Sequence, residues 1–194
     1  TTATHDPATG TLTPHYLLTE GRKRYSHARR HGGGLSVLMF RVDTYGEISQ
    51  KVGKGVADQL LARIAKLVMG TLRTEDSMGR SGEAVFSVIF AGISSQQALA
   101  FAHRLRNQLE KAQVSFKGQL LAIRVSMGLA ALDADTVASL DELMRLALQR
   151  LQQAASGAGE RIVDKEEVAL VKPATLPSDI ERAVTPSTRA IILN

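Results

Sequence analysis

Two carboxylates, Asp43 and Glu83, stand at positions where they could hold a divalent metal ion. Asp43 follows a short apolar segment that ends in Arg41 and Val42, and Glu83 follows Gly82 in a turn-like stretch. Carboxylate oxygens at such places hold Mg²⁺ against phosphate oxygens. Arg41 cannot ligate a cation, so the alternative is that Asp43 and Glu83 are solvated turn residues with no metal.

The other side chains that could do chemistry form no recognisable site. The two histidines that are four residues apart, His27 and His31, lie in a basic run, and we interpret them as solvated. No nucleophile-elbow pattern is present, and the lack of cysteine excludes thiolate metal sites and disulfides. The glycines at 32–34 precede a strand and so match no phosphate-binding loop. These patterns predict neither a cofactor nor a metal.

The net charge of +5 sits in one segment. Residues 22–31 carry five basic and no acidic residues, so the other 184 of the 194 residues sum to zero. This run predicts a solvated, basic helix face, with phosphate or partner binding as the alternative. Aromatic residues make up 4% of the chain and tryptophan is absent, so we expect no nucleic-acid partner. The basic residues are Arg22, Lys23, Arg24, Arg29 and Arg30.

Length and hydropathy predict one domain without membrane contact. The longest nearly pure apolar run, 35–40, is far shorter than the roughly 18 residues that cross a bilayer. No signal-peptide pattern opens the chain. We expect a cytoplasmic segment, which is compatible with the cytoplasmic part of a membrane-anchored protein. Because the chain begins with Thr1, we also expect it to be a piece of a longer protein.

Hydrophobic periodicity predicts the elements that would position the candidate residues. Residues 35–42 are apolar on both faces, which is typical of a buried central strand. From residue 56 onward, apolar residues recur at helical spacing. Residues 77–91 predict a hairpin with its tip near Gly82.

Two further helices are predicted by their N-terminal residues. Ser94 with Gln97, and Ser139 with Glu142, have the spacing of a capping box. Between these helices, residues 121–129 alternate apolar and small or polar residues, which predicts a half-buried strand.

The order of elements predicts an α+β domain with helices on a mainly antiparallel, five-stranded sheet. A short strand at 161–163 completes the order. We place the domain at 1–165. Residues 166–194 contain three prolines and lose helical periodicity, so we interpret them as a C-terminal extension or linker.

Five local strings, in the correct order and spacing, resemble the GGDEF domain, the diguanylate cyclase fold of bacterial signalling. The resemblance extends over residues 5–164 and implies a nucleotidyl-cyclase-like sheet flanked by helices. The strings are residues 5–10, 38–58, 80–86, 124–130 and 141–148.

The chain departs from the family at the positions that serve catalysis. The family's first metal-binding aspartate aligns with Arg41, and its signature reads Gly-Glu-Ala-Val-Phe at 82–86. The guanine-contacting asparagine aligns with Ser49, whereas the guanine-contacting aspartate persists as Asp58. Loss of both metal ligands removes the two-metal stabilisation of the reacting oxygens, so the resemblance implies a domain without cyclase activity. The remnant nucleotide site comprises Arg41, Asp43, Ser49, Asp58, Gly82 and Glu83.

The resemblance extends to a second site that the family carries. GGDEF domains commonly carry an inhibitory RxxD sequence nine residues before the signature, and Arg73 and Asp76 stand at that spacing from Gly82. The family's supporting arginine aligns with Arg104. The implied ligand is cyclic di-GMP, whose guanine and phosphates suit arginine forks and whose guanine edge suits the carboxylate of Asp76. The alternative is an ordinary surface ion pair between residues three apart.

The leading hypothesis is a catalytically inactive GGDEF domain that binds cyclic di-GMP as a receptor or regulatory module of a larger bacterial signalling protein. Its other partners would be further domains of the parent protein or a partner protein, with homodimerisation open. One alternative is an interaction or dimerisation scaffold without nucleotide, which would use the basic helix or the proline-containing extension. Another is GTP binding without turnover, through Asp58.

Overall fold

A computed structural model describes residues 4–157, 161–165 and 191–193 of the chain. This part contains five helices and eight strands. The helices are α1 Pro14–His31, α2 Tyr45–Val52, α3 Lys54–Met69, α4 Ser95–Lys111 and α5 Leu140–Ala155. The strands are β1 Leu35–Val42, β2 Ser77–Arg80, β3 Val85–Ala91, β4 Val114–Phe116, β5 Gln119–Leu121, β6 Val125–Ala131, β7 Ile162–Val163 and β8 Ile191–Leu193.

Five strands form the central sheet in the order β2-β3-β1-β6-β7. β1 pairs antiparallel with β3 and β6, and β2 pairs antiparallel with β3, whereas β7 runs parallel to β6. The sheet is therefore mixed and mainly antiparallel. This confirms the predicted α+β class, the five-stranded sheet and the hairpin over 77–91.

Both faces of the sheet are covered by helices. Leu38, Phe40 and Val42 of β1 belong to a buried cluster with residues of α3 and α4. The alternate residues Val37 and Met39 belong to a second cluster with residues of α1 and α5. Two buried faces explain why β1 is apolar at nearly every position.

The predicted half-buried strand at 121–129 is wrong in its bounds and its burial. β5 ends at Leu121, a new strand β6 starts at Val125, and all seven residues of β6 are buried. The side chains on the face that carries Gly128 are small because α5 packs directly on this face, and not because the face is exposed to solvent. A Cβ atom at Gly128 would lie 2.2 Å from the carbonyl oxygen of Ala147 and 2.3 Å from the amide nitrogen of Leu151.

The predicted helix starts are confirmed at α4 and α5. The Ser94 hydroxyl accepts from the Gln97 amide at 3.2 Å, and the Gln97 side chain accepts from the Ser94 amide at 2.9 Å. The Ser139 hydroxyl likewise accepts from the Glu142 amide, but the Glu142 carboxylate accepts from the amide of Ala138.

The sequence patterns do not predict α2, β4 or β5. α2 begins three residues after the end of β1 and is separated from α3 by Gly53, whose φ of 93° suits glycine. β4 and β5 form a short hairpin whose turn places Lys117 and Gly118 at positive φ, 47° and 79°.

The basic run lies on the C-terminal half of α1 and is mostly exposed, which confirms the predicted basic helix face. Arg22 pairs with Asp141 at 2.8 Å, and Lys23 pairs with Glu20 at 3.1 Å. Among the residues that the structure describes, no helix is long and apolar enough to span a bilayer.

The C-terminal extension is in part a component of the domain. Residues 166–190 and 194 lie outside the described residues, but β8 pairs parallel with β4 in a second, three-stranded sheet of order β5-β4-β8. The side chain of Leu193 is buried in the cluster that contains α3 and α4. The interpretation of residues 191–193 as a linker therefore needs correction.

Replacing Leu193 by aspartate should lower the free energy of unfolding by about 3 kcal/mol, because a buried side chain becomes a charge without a partner. Leu120→Asp is the matched control: Leu120 is 73% exposed in the same small sheet, and we expect an effect below about 0.5 kcal/mol. Urea denaturation of both variants measures the difference. Equal stabilities would mean that β8 does not dock in solution.

Candidate functional site

The end of β1 and the tip of the β2–β3 hairpin meet at one edge of the sheet. Strand register places Arg41 directly opposite Val85, and the Val42 amide donates to the Ala84 carbonyl at 3.0 Å. Arg41, which the resemblance aligns with the family's first metal-binding aspartate, and the signature segment 82–86 are thus neighbours in space. In that segment, Ala84 and Val85 stand in place of the family's two acidic residues.

Asp43 is the centre of an ion-pair cluster at this edge. Its Oδ1 lies 2.9 Å from Nε of Arg41, and its Oδ2 lies 2.8 Å from Nη1 of Arg161. The Ser126 hydroxyl also donates to Oδ2. The Asp43 side chain is 14% exposed, so its alternative interpretation as a solvated turn residue is wrong.

The two guanidinium groups already neutralise this carboxylate. A divalent cation at Asp43 would have to displace one of them. In the described part of the chain, no three histidine, aspartate or glutamate side chains converge in a way that could hold a metal ion. Sequence reasoning misses Arg161, because the residue lies 118 positions from its partner and only the fold brings them together.

Arg80 holds the hairpin tip in place. Its Nε donates to the Gly82 carbonyl at 3.2 Å, and its Nη2 donates to the Glu83 carbonyl. Its Nη1 lies 3.4 Å from the carboxylate of Asp6 in the N-terminal segment. Glu83 itself is exposed, as expected for a turn residue.

The carboxylate of Asp58 accepts hydrogen bonds from residues of α2 and α3. The Tyr45 hydroxyl donates to Oδ1 at 2.7 Å and the Lys54 ammonium donates to Oδ2 at 2.8 Å. These hydrogen bonds, Lys54 first and then Tyr45, lower the pKa of Asp58. Burial, and next the hydrogen bond to Asp58, raise the pKa of Tyr45 to about 12. Ser49 is partly buried on α2, where its carbonyl accepts from the Gly53 amide.

Arg73 and Asp76 contact each other in the loop before β2. Oδ2 of Asp76 accepts from the Arg73 amide at 2.9 Å, and Oδ1 accepts from the Ala91 amide at 3.2 Å. The Asp76 side chain is 3% exposed. Nη2 of Arg73 donates to the Ala91 carbonyl at 2.7 Å, while half of the Arg73 side chain remains exposed.

Arg104 reaches the same end of β3 from α4. Its guanidinium carbon lies 5.5 Å above the ring of Phe101. That ring packs edge-on against Phe90 at 4.9 Å, and Phe90 precedes Ala91, the partner of Arg73. A groove of about 340 Å³ is lined by Arg73, Asp76 and residues of the N-terminal segment and α3. The structure therefore places both predicted arginines at one end of β3.

A mixed sheet covered by helices on both faces, with a hairpin tip beside the end of its central strand, is the architecture that the resemblance to the GGDEF domain implies. The family model for "Diguanylate cyclase, GGDEF domain" matches residues 3–161. The chain belongs to the GGDEF domain family.

Individual proteins show the same relationship. The chain is 29% identical over 126 residues to diguanylate cyclase DosC of Escherichia coli, which is 64% of this chain and 27% of DosC. The chain thus spans about a quarter of the length of that relative. A sensory box/GGDEF family protein from Caulobacter crescentus superimposes with a TM-score of 0.72 at 28% identity, covering 81% of this chain and all of that one.

The GGDEF domain of DgcB from the same organism, solved in complex with c-di-GMP, superimposes with a TM-score of 0.77. At 18% identity over 84% of this chain and 94% of that one, this likeness shows the fold.

Proposed function

We propose that this domain is a catalytically inactive, regulatory receptor for cyclic di-GMP within a larger cytoplasmic signalling protein. Two structural neighbours, the DgcB domain and a further microbial GGDEF domain, were solved with this dinucleotide. Its guanines offer acceptor atoms and its phosphates offer charge, and both suit the planar fork of an arginine. Further domains of the parent protein, a partner protein or a second copy would receive the signal.

The half-exposed side chain of Arg73 is the observation that carries this proposal. Asp76 accepts from its backbone amide, and its Nη2 donates to the Ala91 carbonyl. Its Nη1 and Nε lie 3.4 and 3.5 Å from the carboxylates of Glu75 and Asp76, yet half of the side chain faces solvent. Preorganisation of this kind lowers the entropic cost of binding. Arg104 supplies a second cation beside the aromatic pair of Phe90 and Phe101.

The carboxylate of Asp76 also has a structural role. It positions Arg73, since its two oxygens accept from the backbone amides of Arg73 and Ala91. A direct contact between Asp76 and a guanine edge stays a prediction. Such a contact requires the 3% exposed side chain to become accessible.

Calorimetric titration of the chain with cyclic di-GMP should show saturable binding. Arg73→Ala and Arg104→Ala should each weaken it by about 1–3 kcal/mol, or roughly 5- to 150-fold, since each removes a charged fork. Arg63→Ala, an exposed arginine on α3, is the matched control and should bind as the parent does. The absence of heat at tens of micromolar, with the protein folded, would overturn the proposal.

Incubation with GTP and Mg²⁺ should yield no cyclic di-GMP, because Arg41 aligns with the family's first metal-binding aspartate, and Ala84 and Val85 stand in place of the acidic pair of its signature. The measurement is chromatography of the products, with an active GGDEF protein as the positive control. Any turnover above the rate of a heat-denatured sample would contradict the inactivity.

A second candidate function, a protein interaction module without nucleotide, is favoured by the exposed basic face of α1. Arg29 and Arg30 form no ion pair with any other described residue. Retention of function in the parent protein after the joint change of Arg73 and Arg104 to alanine would favour this candidate. GTP binding through Asp58 is less well supported, because Tyr45 and Lys54 already use both of its carboxylate oxygens.

A further inference from the structure

A cavity of about 470 Å³ opens between α5 and the loop that follows β6. Its wall includes Asp135, Val137 and Leu146, and Lys165, two residues beyond β7, lies at its edge. Asp43 contacts Ser126 at the opposite end of β6. The strand has seven residues, so roughly 20 Å separates the cavity from the remnant nucleotide site. Neither Arg73 nor Arg104 contributes to the wall.

A buried ion pair fixes the shape of this cavity. Nη1 and Nη2 of Arg150 donate to the two oxygens of Asp135 at 2.9 and 2.8 Å, and Nη1 also donates to the Leu129 carbonyl at 2.8 Å. The Ala131 amide donates to Asp135 at 3.0 Å. These bonds tie the loop to α5, so the cavity is preformed.

The acidic side chains in the wall of the cavity already accept hydrogen bonds from other groups of the same chain. Asp135 is shared between Arg150 and the Ala131 amide, and the Glu142 carboxylate accepts from the Ala138 amide at 2.8 Å. Their two charges stand against three cations, namely Arg145, Arg150 and Lys165, so the lining carries +1.

Two of these cations remain available. Arg145 and Lys165 are exposed, and neither forms an ion pair with another described residue. Nε of Arg150 lacks a hydrogen-bond partner but is enclosed, so that residue contributes charge rather than a contact. The hydroxyl of Thr136 and the amide of Gln149 add polar groups, while Val137 and Leu146 supply an apolar surface.

We propose that this cavity binds a small organic anion. Arg145 and Lys165 engage its carboxylate or phosphate group, and Val137 and Leu146 contact its apolar body. The volume lies within the usual range for small-molecule sites. The site is independent of the proposed cyclic di-GMP contacts.

Phenyl phosphate and benzoate, titrated into the ¹⁵N-labelled chain at constant ionic strength, test the proposal by NMR. We expect saturable shifts of amides at 135–137, 145–149 and 165, with a Kd of about 1 mM or tighter for at least one probe. The tighter probe identifies the head group. In the double variant Arg145→Gln with Lys165→Gln, binding should weaken at least about tenfold.

Arg29→Gln, an exposed arginine on α1, is the matched control and should leave the titration unchanged. Shifts that do not saturate for either probe, or that persist in the double variant, overturn the proposal. Because Arg73 and Arg104 lie elsewhere, loss of cyclic di-GMP binding in their variants would not alter this titration.

Discussion

Replacing Arg150 by alanine should lower the free energy of unfolding by about 3–5 kcal/mol, which is the usual cost of breaking one side of a buried ion pair. Its side chain is 5% exposed and binds Asp135 through two nitrogens. Its loss leaves the Asp135 carboxylate and the Leu129 carbonyl without this partner. Urea denaturation measures the change in the free energy of unfolding, provided that the slope of this free energy against urea concentration is the same in both proteins.

Arg145→Ala, on the exposed side of the same helix, is the matched control and should change stability by less than about 0.5 kcal/mol. The double variant Arg150→Ala with Asp135→Ala should cost little more than Arg150→Ala alone, because the pair can be broken only once. Additive costs would show that the two side chains do not act as a unit.

The same pair predicts how stability depends on acid. Burial acts to raise the pKa of Asp135, but hydrogen bonds from Arg150 and the Ala131 amide outweigh it and the pKa is lowered. A lowered folded pKa contributes stability above the unfolded pKa of about 3.9, and this is lost as pH falls through the folded value. The acid-induced loss below about pH 4 should therefore be smaller in Asp135→Ala than in the parent chain.

Gly128→Ala should lower the free energy of unfolding by about 3 kcal/mol, at the upper end for an overpacked core. The added methyl group would meet backbone atoms of α5 at 2.2 and 2.3 Å. Backbone cannot rotate away as a side chain can, so the helix itself must move. The change should also broaden the NMR signals of residues along α5.

Gly46→Ala is the control of opposite sign. Gly46 lies exposed in α2, where an added Cβ would meet no neighbouring atom within 4 Å, so alanine should stabilise the chain by up to about 1 kcal/mol. Equal effects of the two substitutions would show that α5 does not approach β6 as closely as described.

Local patterns are sufficient to predict much of the fold. The apolar run predicts β1, and the capping residues predict α4 and α5, because those signals lie within a few neighbouring positions. The prediction of β6 as half-exposed is wrong because small residues at a close helix contact alternate just as polar residues at a surface do. No local pattern indicates β8, because its partner β4 lies some 75 residues earlier in the chain.

Local sequence patterns likewise predict only part of the candidate functional site. That Arg41 offers no ligand to a cation is evident from the sequence, but the pairing of Asp43 with Arg161 is not, because it depends on β7 lying beside β6. The spacing of Arg73 and Asp76 is visible in the sequence, whereas the burial of the Asp76 carboxylate against the Ala91 amide is not.

The cluster of Arg41, Asp43 and Arg161 bears on how readily a metal ion could be accommodated at the end of β1. Replacing Arg41 alone by aspartate would remove one counter-ion from Asp43 and place a second carboxylate two residues away. Like charges at that separation repel, so this single substitution is unfavourable before any metal can bind. Val85 would have to change as well to supply a second ligand. A single aspartate at position 41 is therefore not sufficient to build a metal site at this place.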